Sequence, residues 1–302
     1  ASGVIFFAVL VVGSSLAFLV DVRLMLARAW RLVLIRMAAV GLLRLPLLWA
    51  DPPTGDALWL FCLAAGFPAA SGIVGVLALP RLAGVRFRLR PRPIAMAVFV
   101  RFAGVNYLAT LAVDAARFVL PVLVLVNVSA TANASFYVAW SVTMIAFLAP
   151  ATIGQVLLVE ASRATDRWAH VRTTAAVSVA LMGAASVMVW MRADVITSLF
   201  GSDYRPAADI LPRLMAAGLP WAVTSVALAD ARVRADSRST LAITLTLAGA
   251  VLIPAAVLVP ERGIAAAAGA WFGGHLISAA LASLVLVRGR RGDSRGVGAS
   301  VP

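Results

Sequence analysis

The sequence predicts an all-α integral membrane protein of about nine transmembrane helices, and three observations carry that reading. Of its 302 residues, 62% are hydrophobic, against the roughly 45–50% usual in a soluble domain, and the mean hydropathy is +0.97. The apolar residues fall in runs of about twenty, the length a helix needs to cross a bilayer at 1.5 Å per residue. The runs are separated by short linkers in which arginine alternates between rich and poor, the pattern of the positive-inside rule.

In chain order the expected spans are 3–20, 30–50, 57–79, 99–126, 134–160, 173–192, 208–230, 240–259 and 264–287. The first run, SGVIFFAVLVVGSSLAFLV, lacks a basic flank and a cleavage site, so it reads as a span and not as a signal peptide. Prolines inside spans (Pro46, Pro68, Pro121, Pro150, Pro220 and Pro254) predict kinks. The C-terminal RGRRGDSRGVGASVP is polar and Gly-rich, which predicts a disordered tail.

Charge argues about topology and not about nucleic acid. The formal net charge is +13, all 26 basic residues are Arg, and 19 of them lie in alternate linkers or the tail. Those linkers are 21–31, 80–101, 161–172 and 231–239. The intervening ADPPTGD, VSATANAS, RADVITSLFGSDYRPAA and VPERGI hold only Arg192, Arg205 and Arg262. The alternation places 80–101 and the C-terminus in the cytoplasm. The absence of Lys with abundant Ala, Val and Leu reads as a high-GC bacterial composition, so the protein is expected to be multi-pass in a bacterial cytoplasmic membrane. Within 80–101, Arg86, Arg88, Arg90 and Arg92 alternate with other residues between prolines, as an extended segment lying on anionic headgroups would. Cys62 is the single cysteine and reads as an inert buried thiol.

The chemistry sits where charge enters the apolar runs, because an ionised side chain at the centre of a lone membrane helix costs about 2.5–3.5 kcal/mol and usually faces a cavity or a partner. Asn106, Thr110, Asp114 and Arg117 follow a 4-4-3 spacing and form one polar stripe. Tyr137, Ser141, Thr152 and Gln155 lie close to one face of the next span. Arg36 and Arg44 lie in the second span, and His275 is mid-span in the last, with Trp271 and Ser278 near its face. Each has a plain structural alternative: an Asp114–Arg117 pair that only fixes packing, Arg36 and Arg44 snorkelling to the surface, and His275 as an interhelical hydrogen-bonding residue. Glu160 and Asp230 read as surface groups at span ends. Enzymatic signals are weak: no metal or cofactor constellation is visible, and His170 and His275 have no partners at metal-ligand spacing. Asp51 and Asp56 in an outer linker leave one enzyme alternative open, a polyprenyl-sugar-dependent membrane glycosyltransferase.

Residues 101–287 also carry a resemblance. GVNYLATLA, PVLVLV and ANASFYVAWSVTMIAFLAPATIGQVLLVEASR resemble the seventh and eighth helices of bacterial polysaccharide flippases, which belong to the multidrug/oligosaccharidyl-lipid/polysaccharide exporter (MOP) superfamily. LFGSDYRPAADILPRLMAAGLPWA, with Phe200, Gly201, Tyr204, Ala207 and Leu211, resembles the entry to the tenth helix. ERGIAAAAGAW resembles the start of the last, with Ala266 where a Gly is frequent. The resemblance implies two six-helix bundles around a central cavity. Residues 1–80 would be the last three helices of the first bundle, 81–98 a basic cytoplasmic linker, 99–287 the complete second bundle, and 288–302 a cytoplasmic tail. Three further helices are then expected upstream. The implied activity is alternating-access transfer of a polyprenyl-diphosphate-linked oligosaccharide to the outer leaflet, with polysaccharide polymerase and glycosyltransferases as partners. A small-molecule exporter of the same superfamily is the alternative. Arg117, Asp114, Arg44, Arg36, Asn106, Thr110 and His275 are the expected substrate contacts, since a diphosphate-sugar head needs cations and donors.

The topology has a direct check. In a Cys62→Ser background, a cysteine replacing Arg88 should resist an impermeant thiol reagent in intact cells, and one replacing Thr131 should react.

Overall fold

The computed structural model describes residues 2–27, 29–48, 57–83, 93–161 and 166–297, and among them the regular elements are all helices. They are α1 Ser2–Leu26, α2 Trp30–Arg44 continued by a 3₁₀ turn at Leu45–Leu48, α3 Ala57–Ala83, α4 Pro93–Asn127, α5 Ala130–Ala161, α6 Arg167–Ser198, α7 Pro206–Ala216, α8 Gly218–Val233 and α9 Ser237–Val297. Six stretches within them are long and apolar enough to span a membrane. The chain divides into two compact units, Ala1–Pro91 and Arg92–Pro302.

The first unit is built on close approach of small residues. α1 and α3 pack in parallel, with Gly13 against Ala69, Gly72 against Gly13 and Ala17, and Gly75 against Val20. A methyl group at Gly13 would stand 2.7 Å from the Ala69 Cβ, and one at Gly72 would fall on the Gly13 carbonyl and the Ala17 amide. Between apolar helices in lipid, such van der Waals contact is the main attraction available. Val20, Leu24 and Val33 close the small core where α2 joins.

The second unit is organised around α8. Twelve of its residues are buried, Trp221, Ala222, Val226 and Ala227 among them, and α5, α6 and α9 pack against it while α4 packs along α9. α7 leads into α8 with one hitch at Ala217, and the two form a single span, Pro206–Val233. α9 is too long to be one span: its 61 residues would extend about 90 Å, three times the apolar thickness of a bilayer. It folds back at Gly263, whose φ of 62° and ψ of −148° lie in a region that is essentially glycine-only. The two arms run antiparallel, as Ser278 Oγ donating to the Ile243 carbonyl at 3.3 Å and Gly274 lying against Ala250 and Val251 require. The expected linker at VPERGI is therefore a one-residue reversal.

The ends of this unit segregate by charge. At one end Arg167 meets Asp230 at 2.8 Å, Arg234 meets Asp230 at 3.0 Å and Asp236 at 3.3 Å, and Arg290 lies over the Trp168 ring at 5.5 Å. At the other end Gly263 approaches Val128, bringing together two arginine-poor turns. Asp236 caps α9, accepting from the Ser239 amide at 3.1 Å and hydroxyl at 2.6 Å. Burial opposes its charge, but these bonds and the Arg234 guanidinium win and hold the carboxyl below its ordinary value.

The span expected at 99–126 is found as Ala103–Asn127, and its helix, α4, extends back to Pro93, with proline at the first helical position where its missing amide costs nothing. Two expectations are corrected here. Helix continues through Val297 in place of a disordered tail from 288. Gly289 packs against the Arg234 guanidinium and Arg290 is held by Trp168, so the first turns of that segment have partners. Asp230 is not a surface group: its side chain is 2% exposed and shared by two arginines. The basic segment 84–92, Asp51 and Asp56, and residues 298–302 lie outside the described residues.

Gly263→Ala should destabilise the protein by about 1–3 kcal/mol, the cost of forcing a side chain into that backbone region. The expected readout is a lower unfolding temperature in detergent, with Gly269→Ala, where an added methyl meets open space, as the neutral control.

Candidate functional site

The polar stripe of α4 lines a real cleft in the second unit. Thr110, Asp114 and Arg117 face Gln155 of α5 and Trp221 and Arg232 of α8 across a space of about 210 Å³. Asn106, the first member of the stripe, accepts from Arg232 Nε at 3.1 Å, and Thr110 Oγ1 donates back to the Asn106 carbonyl at 2.9 Å. A second cleft of about 440 Å³ opens between α4 and α5, and Asp114 and Arg117 line it too. Tyr137 and Ser141 of the second predicted stripe line this cleft, while Thr152 is exposed and bonds back to the Leu148 carbonyl.

Arg117 stands at the junction. Its guanidinium lies 3.6 Å from Asp114 and 5.3 Å from the centroid of the Trp221 ring. Its Nε is buried without a hydrogen-bond partner among the described residues. Arg117 lies eleven residues from Asn106 and eleven from Val128, about 16 Å from each level at 1.5 Å per residue, which is mid-depth. The ion pair is long for a charge-assisted hydrogen bond, and both side chains keep about a third of their exposure, 29% and 35%.

Behind Arg117 is a stack of rings. Trp221 packs on Phe147 with centroids 6.1 Å apart, His275 lies edge-on to both, and Trp271 sits 4.1 Å from His275 and 4.6 Å from Trp140. His275 is 1% exposed, and its Nδ1 is 2.9 Å from the Trp271 carbonyl. It is thus built into the wall that carries Trp221 and does not line either cleft.

Arg36, by contrast, is fully engaged. Its Nε donates to Asp21 Oδ1 at 2.7 Å, its NH2 pairs with Asp21 Oδ2, and its NH1 donates to Ser71 Oγ at 2.8 Å. Ser71 in turn donates to the Pro68 carbonyl at 2.7 Å. Arg36 therefore ties α2 to α1 and α3 and does not snorkel to the surface. Arg44 ends α2 on an exposed surface.

No family model and no curated protein sequence matches this chain. Two solved structures do resemble it. One is the outward-facing conformation of a multidrug resistance MATE family transporter of the MOP superfamily, at 16% identity and a TM-score of 0.65, covering 80% of this chain and 58% of that one. The other is a crystal structure of a MATE point mutant, at 17% identity and a TM-score of 0.64, covering 87% of this chain and 62% of that one. The chain has the fold of the MATE transporters. It spans about three fifths of the length of those two proteins. The superfamily implied by the sequence resemblance is thus the one to which the first of these structures belongs. The protein is a multi-pass membrane protein of that fold.

Sequence reasoning missed Asp21, Trp221, Arg232 and Asn133. Asp21 sits just past the expected end of the first span, and its partner is fifteen residues away on another helix. Arg232 was counted only as linker charge, yet it reaches back to Asn106.

The two intramembrane pairs should respond differently to loss of the carboxylate. Asp21→Ala strands a guanidinium that is 17% exposed, and should cost about 3–5 kcal/mol. Asp114→Ala removes a long contact between side chains that keep about a third of their exposure, and should cost clearly less than Asp21→Ala. Thermal unfolding of both variants in one detergent checks the order.

Proposed function

We infer that this chain is part of a transporter that works by alternating access and carries a polyprenyl-diphosphate-linked oligosaccharide outward across a bacterial cytoplasmic membrane. The observation that carries the reading is the charge balance of the polar cleft. Its lining holds two guanidiniums, Arg117 at mid-depth and Arg232 near the end of its span, and one carboxylate, Asp114, so the formal balance is positive. Such a site favours an anion, and guanidinium is the group suited to bidentate contact with phosphate. Thr110, Gln155 and Ser225 add the hydroxyl and amide groups that a sugar needs.

The likeness to MATE structures supports transport by alternating access, and the first of those structures is a multidrug resistance transporter. A small-molecule exporter is therefore the second reading. A cationic drug would meet Asp114 already paired with Arg117 in a cleft that also holds Arg232, which is why the anionic substrate is preferred. On the preferred reading Asp114 holds Arg117 while the site is empty and releases it to the incoming anion. Glycosyltransferases and a polysaccharide polymerase would supply and consume the substrate, with the C-terminus on the cytoplasmic side.

Exchanging the charges, Asp114→Arg with Arg117→Asp, distinguishes substrate contact from packing. The exchange keeps the pair but moves the cation about 5 Å, nearly one helical turn. Outward movement of lipid-linked oligosaccharide in vesicles containing the full-length gene product should fall at least about tenfold, a 1.4 kcal/mol change, at normal membrane levels. Arg117→Lys keeps charge without the planar fork and should retain partial activity. Wild-type transport by the exchanged pair would make Arg117 a packing residue and refute the reading.

A further inference from the structure

We propose that the cleft between α4 and α5 is a tail subsite, which holds the apolar chain next to the diphosphate while the polar cleft beside it holds the anionic head. The proposal rests on the reading above and goes beyond it by giving each end of the substrate a place in this unit. The two clefts share Asp114 and Arg117. On one side of that joint lie Thr110, Gln155, Ser225 and Arg232; on the other lie Phe118, Pro121, Val122, Leu125 and Met144. A single joint between a cationic polar space and an apolar one matches a molecule with one anionic head and one hydrocarbon tail.

The apolar cleft exists because consecutive helices part. α4 packs mainly along α9 and α5 along α8, so the two diverge from their turn at Ser129. Phe118, Val122 and Leu125 recur at 4-3 spacing on α4, and Tyr137, Ser141 and Met144 do so on α5, giving two facing stripes. Phe118, Val122 and Tyr137 are 72%, 53% and 56% exposed, so the stripes are open. In a hairpin turning at Ser129, Ser141 lies level with Arg117, each twelve residues from the turn. Asn133 lies level with Leu125 by the same count and marks the far end with a buried Oδ1 that has no hydrogen-bond partner among the described residues. The apolar length between them is about 12 Å, enough for the first part of a chain, the rest remaining in lipid.

Depth decides between a resident lipid and cargo. A bilayer phospholipid keeps its phosphate at the interface, whereas Arg117 lies fourteen residues from one end of the apolar span Ala103–Asn127 and ten from the other, about 21 Å and 15 Å. An anionic head at that level belongs to a molecule in transit. The unpartnered Arg117 Nε is a spare donor for it.

Equilibrium binding to the purified 302-residue chain in detergent tests this with farnesyl diphosphate, inorganic diphosphate and dioleoyl phosphatidic acid as probes. Val122→Trp fills the apolar cleft at a residue that does not line the polar one. It should weaken farnesyl diphosphate about tenfold or more while inorganic diphosphate changes less than about twofold, a 1.4 kcal/mol criterion against 0.4. Arg232→Gln should weaken both diphosphates. Unchanged farnesyl diphosphate binding in Val122→Trp, with the Arg232→Gln effect intact, would overturn the tail subsite and leave the transport reading standing. No effect of Arg232→Gln or Arg117→Gln on either diphosphate would remove the head site and that reading with it. Phosphatidic acid displacing farnesyl diphosphate at equal strength would make the cleft a bilayer-lipid site and refute the proposal. If Val122→Trp does not fold, a farnesyl diphosphate with a diazirine in its tail decides on the unmodified chain: cross-links on Phe118, Val122 or Tyr137 support the subsite, and cross-links confined to other helices exclude it.

Discussion

A charge taken into an apolar slab must be met there, and the degree to which each is met orders this structure. Arg36 is met completely, by both oxygens of Asp21 and by Ser71, and the three helices of the first unit are joined at that point. Asp230 is met by Arg167 and Arg234, which ties the start of α6 and the turn into α9 to the end of α8. Arg117 is met only in part, by a carboxylate at 3.6 Å and an indole face. The first two arrangements leave little for a ligand to gain. The third leaves a donor unspent, and two clefts converge on it.

The partial state of Arg117 depends on the ring stack behind it. Trp221 is placed by α8, the most enclosed helix of its unit, and its Nε1 donates to the Phe147 carbonyl at 3.4 Å. Phe147 and His275 then pack on the indole, and Trp271 packs on both of them. Each ring contact is worth about 0.5–1.5 kcal/mol beyond its buried area, and together they make a firm wall where a flexible side chain would let the guanidinium swing. His275 therefore serves the site through geometry. Ser278, one turn further along, bonds the opposite arm of α9 and holds the histidine's helix in register.

Much of this was legible in the sequence, and what was not has a physical cause. Period and run length located helices, because a membrane helix satisfies its own backbone and so announces itself locally. The 4-4-3 stripe on α4 was legible for the same reason: three of its members line one cleft and the fourth holds Arg232. The reversal at Gly263 was visible as a polar interruption, though not as a single residue with a positive φ. Pairings between helices were invisible. Asp21 with Arg36 and Asp230 with Arg167 join residues whose distance in sequence carries no periodic signal, and Asp230 was taken for a surface group on that account. The helix beyond Arg288 was missed because its partners, Trp168 and Arg234, come from two other elements.

The same logic explains why a transport site would use an under-satisfied cation in place of a free or a locked one. A free arginine at mid-depth would cost about 2.5–3.5 kcal/mol whenever the site was empty, and the protein would relax to hide it. A locked one, such as Arg36 with its three side-chain bonds, would have to break them before accepting any ligand, and the ligand would gain little by replacing them. Arg117 lies between these limits. Asp114 lowers the cost of the empty state but is too far away to saturate the guanidinium, and Trp221 stabilises the charge without using an N–H. On the proposed reading, an arriving diphosphate would then gain the difference between a long contact and a bidentate one, of the order of 1–2 kcal/mol. That is about a fivefold to thirtyfold preference for the occupied state. It is enough to bias a conformational equilibrium, and small enough that the anion leaves again when the site opens to water.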